Sequence, residues 1–182
     1  MNARPHPLPP VTLVLGGVRS GKSLYAEGLV EAHAGEGGKG LYLATAEAGD
    51  KEMAARIEEH KKRRGDAWET IEEPLDIRGV LADHARPETP VLVDCLTLWL
   101  SNVMAAGRDV DGEIGDLVET LGGIPGPVVL VSNEVGTGIV PDNALARSYM
   151  DHAGRMNQAV AAKAQRVVMM TAGLAQTLKD EK

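Results

Sequence analysis

The sequence predicts an α/β fold of three layers, with a mainly parallel central sheet between helices, and three observations lead there. Short apolar runs alternate with longer helical patterns: residues 11–15 then 24–33, 40–45 then 52–64, and 91–94 then 96–105. The strand-like runs are continuously apolar rather than alternating, as expected when helices cover both sheet faces. Finally, 182 residues with 43% apolar and 25% charged side chains suit one compact domain with a buried core.

In chain order, residues 1–10 read as a flexible lead-in, because four prolines within residues 5–10 remove amide donors and little there can be buried. The folded domain is expected to run from Val11 to Lys182. Residues 11–15, 40–45, 91–94, 128–132 and 167–171 carry the β-branched and leucine content of strands. A helix over about 144–164 separates the last two. Between 108 and 126, Asp116, Leu117 and Leu121 suggest a short helix, closed by Gly122-Gly123 and a turn at Pro125-Gly126-Pro127. No internal repeat is present.

Composition excludes several function classes. A net charge of −7 disfavours non-specific attraction to nucleic acid or an anionic membrane. Aromatics are only 3%, with no Phe, so base-stacking platforms are not expected. The apolar run at 11–15 is too short for a signal-peptide core or a membrane span, which makes the cytoplasm the default location. Cys95 stands alone inside an apolar run and reads as a small buried hydrophobe rather than a reactive thiol.

Residues Gly16, Gly17, Val18, Arg19, Ser20, Gly21, Lys22 and Ser23 form a complete G-x-x-x-x-G-K-S directly between a predicted strand and a predicted helix. Glycines let the backbone wrap a phosphate, and the loop amides with the helix N-terminus aim donors and partial positive charge at it. Lys22 is expected to reach the β/γ-phosphates, and Ser23 to ligate Mg²⁺. Such a P-loop also needs a carboxylate near the metal. Asp94, closing a hydrophobic run, is placed either for that role or to cap the next helix. The guanine-reading N-K-x-D of switch GTPases is missing, since no Asn-Lys pair occurs. The D-x-x-G matches at Asp109 and Asp151 do not follow hydrophobic strands.

In the predicted helix 52–64, Met53, Arg56, Ile57, His60, Arg63 and Arg64 share one broad face. Cations around an imidazole disfavour its protonated form and would leave a neutral nitrogen able to attack phosphorus. On spacing alone, an ordinary solvated helix face explains the same pattern. His6, His33, His84 and His152 lack a comparable cation cluster and read as surface residues.

Several segments together resemble one family. They are the P-loop; Leu41-Tyr42-Leu43-Ala44-Thr45-Ala46; Glu52-Met53-Ala54-Ala55-Arg56-Ile57 with His60; and Asp94-Cys95-Leu96-Thr97-Leu98-Trp99. Asn133-Glu134-Val135-Gly136, Gly138-Ile139-Val140-Pro141 and Gly154-Arg155-Met156-Asn157-Gln158 complete the set. In this order, over about residues 11–175, they resemble the bifunctional adenosylcobinamide kinase / adenosylcobinamide-phosphate guanylyltransferase family of cobalamin biosynthesis.

The resemblance implies phosphorylation of adenosylcobinamide with ATP or GTP, then transfer of GMP from GTP to the phosphate through a guanylylated histidine, releasing pyrophosphate. His60 matches that nucleophile. Some relatives place a second histidine where this chain has Glu59. By the same matching, Gly16 to Ser23, Ala44, Thr45, Ala46, Lys61, Lys62, Arg63, Arg64, Glu72 and Asp94 would contact GTP, with Mg²⁺ at Ser23 and Asp94. A RecA-like P-loop architecture, a homotrimer and a corrinoid site between subunits are implied as well. Other relatives carry Glu at position 94 and Ala at position 18. The competing readings are a RecA-like ATPase coupled to nucleic-acid or protein remodelling, and a nucleotide-dependent switch without transfer chemistry.

Overall fold

The computed structural model describes residues 8–47 and 65–181. The predicted helix over 52–64, with His60 and the cations Lys61 to Arg64, lies outside them, as does most of the proline-rich lead-in. Chain order is β1 (Val11–Gly16), α1 (Lys22–Ala34), β2 (Gly40–Ala44), β3 (Trp68–Glu72), α2 (Ile77–His84) and β4 (Val91–Asp94). There follow α3 (Leu96–Ala105), α4 (Val110–Leu121), β5 (Val128–Asn133), α5 (Ala144–Lys163), β6 (Arg166–Thr171) and β7 (Leu174–Asp180).

The strands form a seven-stranded sheet in the order β3-β2-β4-β5-β1-β6-β7. All neighbours are parallel except β6 and β7, which are antiparallel. Central β1 pairs with β5 and β6, Leu13 lying opposite both Leu130 and Val167. Both β1 and β5 are apolar at nearly every position because neither face meets water. Alternate residues feed two cores: Val11, Leu13, Val91, Val93 and Leu130 pack beneath α2–α5, while Val14, Tyr42, Leu92 and Val129 pack beneath α1. Among the described residues, no helix is long and apolar enough to cross a membrane.

Strand β4 and helix α3 have the bounds expected from sequence, and the 108–126 region contains α4. Helix α5 begins at Asn143, whose Oδ1 accepts from the amides of Leu145 and Ala146. Three elements were not anticipated: β3, α2 and β7. Packing also extends before Val11. Leu8 is buried in the α1-side core, and its amide donates to Nδ1 of His33 at 3.3 Å. His33 is therefore half-buried and anchors the entering strand, rather than standing as a plain surface residue.

Candidate nucleotide site

The parallel strands β1 to β5 all end at one edge of the sheet, where the P-loop, Ala44 to Ala46, Glu72 and Asp94 lie. Gly16 closes β1, and the chain turns through Gly17 to Gly21 before α1 begins at Lys22. A Cβ at Gly16 would lie 2.8 Å from the Met170 carbonyl oxygen, so β1 can pass β6 at this point only without a side chain. Arg19 and Gly21 take positive φ values of 56° and 91°. These left-handed residues turn successive amides inward as an anion cradle.

The turn between β6 and β7 braces the cradle from outside, for Gly173 N–H donates to the Ser20 carbonyl at 3.0 Å. Helix α1 has no side-chain cap at Gly21 and no acidic residue in its first turn. Its leading amides and positive dipole end therefore remain available to phosphate. Lys22 Nζ donates to the carbonyl of Gly17 at 3.1 Å, folded over the cradle it would share with a phosphate.

Asp94 ends β4, and the alternation of that strand places its side chain on the α1 side. Tyr42 Oη donates to Asp94 Oδ2 at 2.7 Å. The helix-capping alternative for Asp94 is not realised: α3 is preceded by Cys95 and has no side-chain cap bond. Ala44 stands in register with both Asp94 and Glu72, so the ends of β2, β3 and β4 lie side by side. Thr45 is fully buried, and its Oγ1 donates to the Cys95 carbonyl at 2.8 Å while accepting the Cys95 amide at 2.9 Å. Asn102 Nδ2 bonds the carbonyls of Thr45 and Pro74, tying together the loops after β2 and β3. Ala46 is half-buried and Glu72 exposed.

A polar network lies beside the loop. Asn133, opposite Gly16, donates to Thr97 Oγ1 at 2.6 Å; Ser132 Oγ donates to Asn157 Oδ1 at 2.6 Å; and Asn157 Nδ2 donates to the Asn133 carbonyl. Cys95 is buried, as expected. Burial first, and the Asp94 charge second, push its thiol from 9.0 up to about 11, so it is protonated and inert at neutral pH. Burial likewise pushes Tyr149, whose hydroxyl donates to the Thr97 carbonyl, up to about 12.

Among the described residues, no group of three or more His, Cys, Asp or Glu could hold a metal ion. A Mg²⁺ ion at a phosphate site takes one or two hard protein oxygens, joined by phosphates and water. The Ser23 hydroxyl and the Asp94 carboxylate are donors of that kind. Gly16 to Ser23, Ala44 to Ala46, Glu72 and Asp94 lie along one edge of the sheet, with β2, β4 and β5 between the strand of Glu72 and the P-loop; His60 and Lys61 to Arg64 are outside the described residues. Sequence reasoning passed over Tyr42 and Gly173. The signal for Tyr42 was a hydroxyl in an apolar strand, which needs a buried acceptor.

Comparison with known proteins agrees with this geometry. The chain is 48% identical over 172 residues to the bifunctional adenosylcobalamin biosynthesis protein CobP of Pseudomonas aeruginosa, covering 93% of this chain and 97% of that protein. It is 37% identical to CobU of Escherichia coli and 38% identical to CobU of Salmonella typhimurium, each match covering 92% of this chain and 98% of the relative. The flagellar accessory protein FlaH of Methanocaldococcus jannaschii shares the fold at 13% identity, with a TM-score of 0.51 over 96% of this chain and 80% of that one. Residues 12–178 match the family described as cobinamide kinase / cobinamide phosphate guanyltransferase. With a P-loop, a strand-end carboxylate and full-length relatives all in agreement, the chain belongs to that family.

Proposed function

We propose that one nucleotide site, at the sheet edge formed by the P-loop and Asp94, serves both family reactions. These are phosphorylation of cobinamide and guanylylation of cobinamide phosphate in cobalamin biosynthesis. The observation that carries the proposal is the placing of the cradle and a carboxylate on the same face at the ends of strands in one sheet. The amides of residues 16–23 bind the triphosphate, and Lys22 neutralises its β/γ oxygens. Ser23 and Asp94 are the residues that would hold Mg²⁺, which supplies charge neutralisation on the phosphates. Glu72 and the segment 44–46 line the nucleotide. Because Thr45 Oγ1 is engaged with Cys95, its amide with the Asp94 carbonyl and its carbonyl with Asn102, Thr45 shapes the segment and Ala46 meets the nucleotide.

For the kinase step, ATP or GTP is held in line with the corrinoid hydroxyl, and positioning with electrostatics lowers the barrier. For guanylyl transfer, direct attack of one phosphate on another would bring two anions together, whereas a neutral imidazole avoids much of that repulsion. His60 attacks the α-phosphorus of GTP, the bond to pyrophosphate breaks, and the corrinoid phosphate then takes GMP from the phosphoramidate, restoring the imidazole. Lys61, Lys62, Arg63 and Arg64 offset developing charge. We place the reactions in the cytoplasm and the corrinoid between protomers of a homotrimer. Ile139, Val140 and Leu145 offer exposed apolar surface of the kind an interface covers.

Incubation with α-labelled GTP tests the transfer route. Expected is an acid-labile, base-stable protein label that is absent in His60→Ala, while that variant keeps more phosphorylation than guanylylation. Wild-type protein that takes up no label, or equal loss of both activities in His60→Ala, rejects it.

A further inference from the structure

We infer that Tyr42 is a positioning residue for the Asp94 carboxylate, fixing it for the metal-bound nucleotide; the inference rests on the reading of Asp94 as a Mg²⁺ ligand. The tyrosine hydroxyl donates to Asp94 Oδ2 at 2.7 Å, a charge-assisted bond that restricts rotation of the carboxylate. A hydrogen-bond partner of this kind orients a metal-ligating carboxylate without touching the metal.

The tyrosine is itself immobilised. Its side chain is 2% exposed, and its ring meets the Trp68 ring edge-on, with centroids 5.7 Å apart and planes at 78°. Trp68 Nε1 in turn donates to Glu31 Oε1 on α1 at 2.9 Å. Space for the indole depends on Gly40, where a Cβ would come within 2.9 Å of Trp68 Cζ3. Gly40, Trp68 and Tyr42 thus form a packed line from the start of β2 and β3 to Asp94. The line is anchored to the same helix that begins at Lys22 and Ser23. A carboxylate held this way is already oriented when the nucleotide arrives, which removes reorganisation from binding.

Tyr42→Phe removes the hydroxyl and keeps the ring. The probe is α,β-methylene-GTP, in which the bond His60 would break is replaced by carbon, titrated calorimetrically into the full chain in Mg²⁺ and separately in EDTA. Expected for Tyr42→Phe is affinity at least threefold, and nearer tenfold, weaker in Mg²⁺, with affinity in EDTA unchanged. Asp94→Asn should show the same Mg²⁺-specific loss, and adding Tyr42→Phe to it should cost nothing further. A Mg²⁺-specific loss below threefold in Tyr42→Phe, an equal loss in both conditions, or full additivity with Asp94→Asn overturns the inference. If Asp94→Asn shows the Mg²⁺-specific loss and Tyr42→Phe does not, the role of Tyr42 alone is rejected; if Asp94→Asn shows none, the metal role of Asp94 fails and the inference falls with it.

Discussion

Adding one methyl group to the first or second glycine of the P-loop should change stability in opposite directions. At Gly16 an alanine Cβ would sit 2.8 Å from the Met170 carbonyl oxygen and would press on the Ser20 side chain. Met170 O belongs to β6, which pairs with β1 from Thr12 to Gly16, so it cannot yield without moving a central strand. Overpacking of this kind costs about 1–3 kcal/mol. For a chain of this size that lowers Tm by about 3–10 °C. At Gly17 nothing lies within 4 Å of the same added atom, and φ lies outside the left-handed region. There the smaller conformational freedom of alanine in the unfolded chain prevails, stabilising by about 0.4–1 kcal/mol and raising Tm by about 1–3 °C. Thermal unfolding of the nucleotide-free variants, followed by far-UV circular dichroism, reads both shifts. A Gly16→Ala protein as stable as wild type, or a Gly17→Ala protein destabilised equally, would refute the account of why β1 ends in glycine.

Lys22→Ala should lower kcat of both reactions by about a hundredfold or more, yet alter Tm little because its bond to Gly17 is exposed; wild-type rates in either reaction would exclude a shared phosphate site. Thr45→Val keeps the shape but strips the buried Cys95 amide of its partner, at about 1–3 kcal/mol, while the Cys95 carbonyl keeps the Trp99 amide; urea unfolding measures the loss. The raised Cys95 thiol favours the protonated form in the fold, so its contribution is complete below pH 9.0 and is lost as pH rises towards about 11. Stability of wild type should fall across that window more steeply than that of Cys95→Ala, and native Cys95 should resist alkylation at pH 8 until the chain is unfolded.

The elements read correctly from sequence are those whose surroundings are uniform. Strands β1, β4 and β5 are buried on both faces and so are written as unbroken apolar runs. β3 and β7 escaped notice because each lies at a sheet edge. Only Trp68 of β3 is buried, and β7 is exposed along most of its length. With no face to hide, their sequences carry no periodic signal. Helix α2 is eight residues long, too short for its pattern to stand out, although the Asp76 side chain accepts the Gly79 amide as a cap should. At the site, the P-loop was legible because its chemistry requires particular residues at fixed spacing. Tyr42 and Gly173 were not, since each acts through a partner far away in the chain.

The brace from Gly173 to Ser20 has a consequence for biosynthesis. β1 is made well before its two neighbours, residues 128–133 and 166–171. A ribosome must therefore release the chain through Gly173 before the phosphate-gripping turn acquires its supports. Contacts so distant in sequence form slowly, and a chain broken off before its final ribbon would carry an intact nucleotide motif with nothing to hold it in shape.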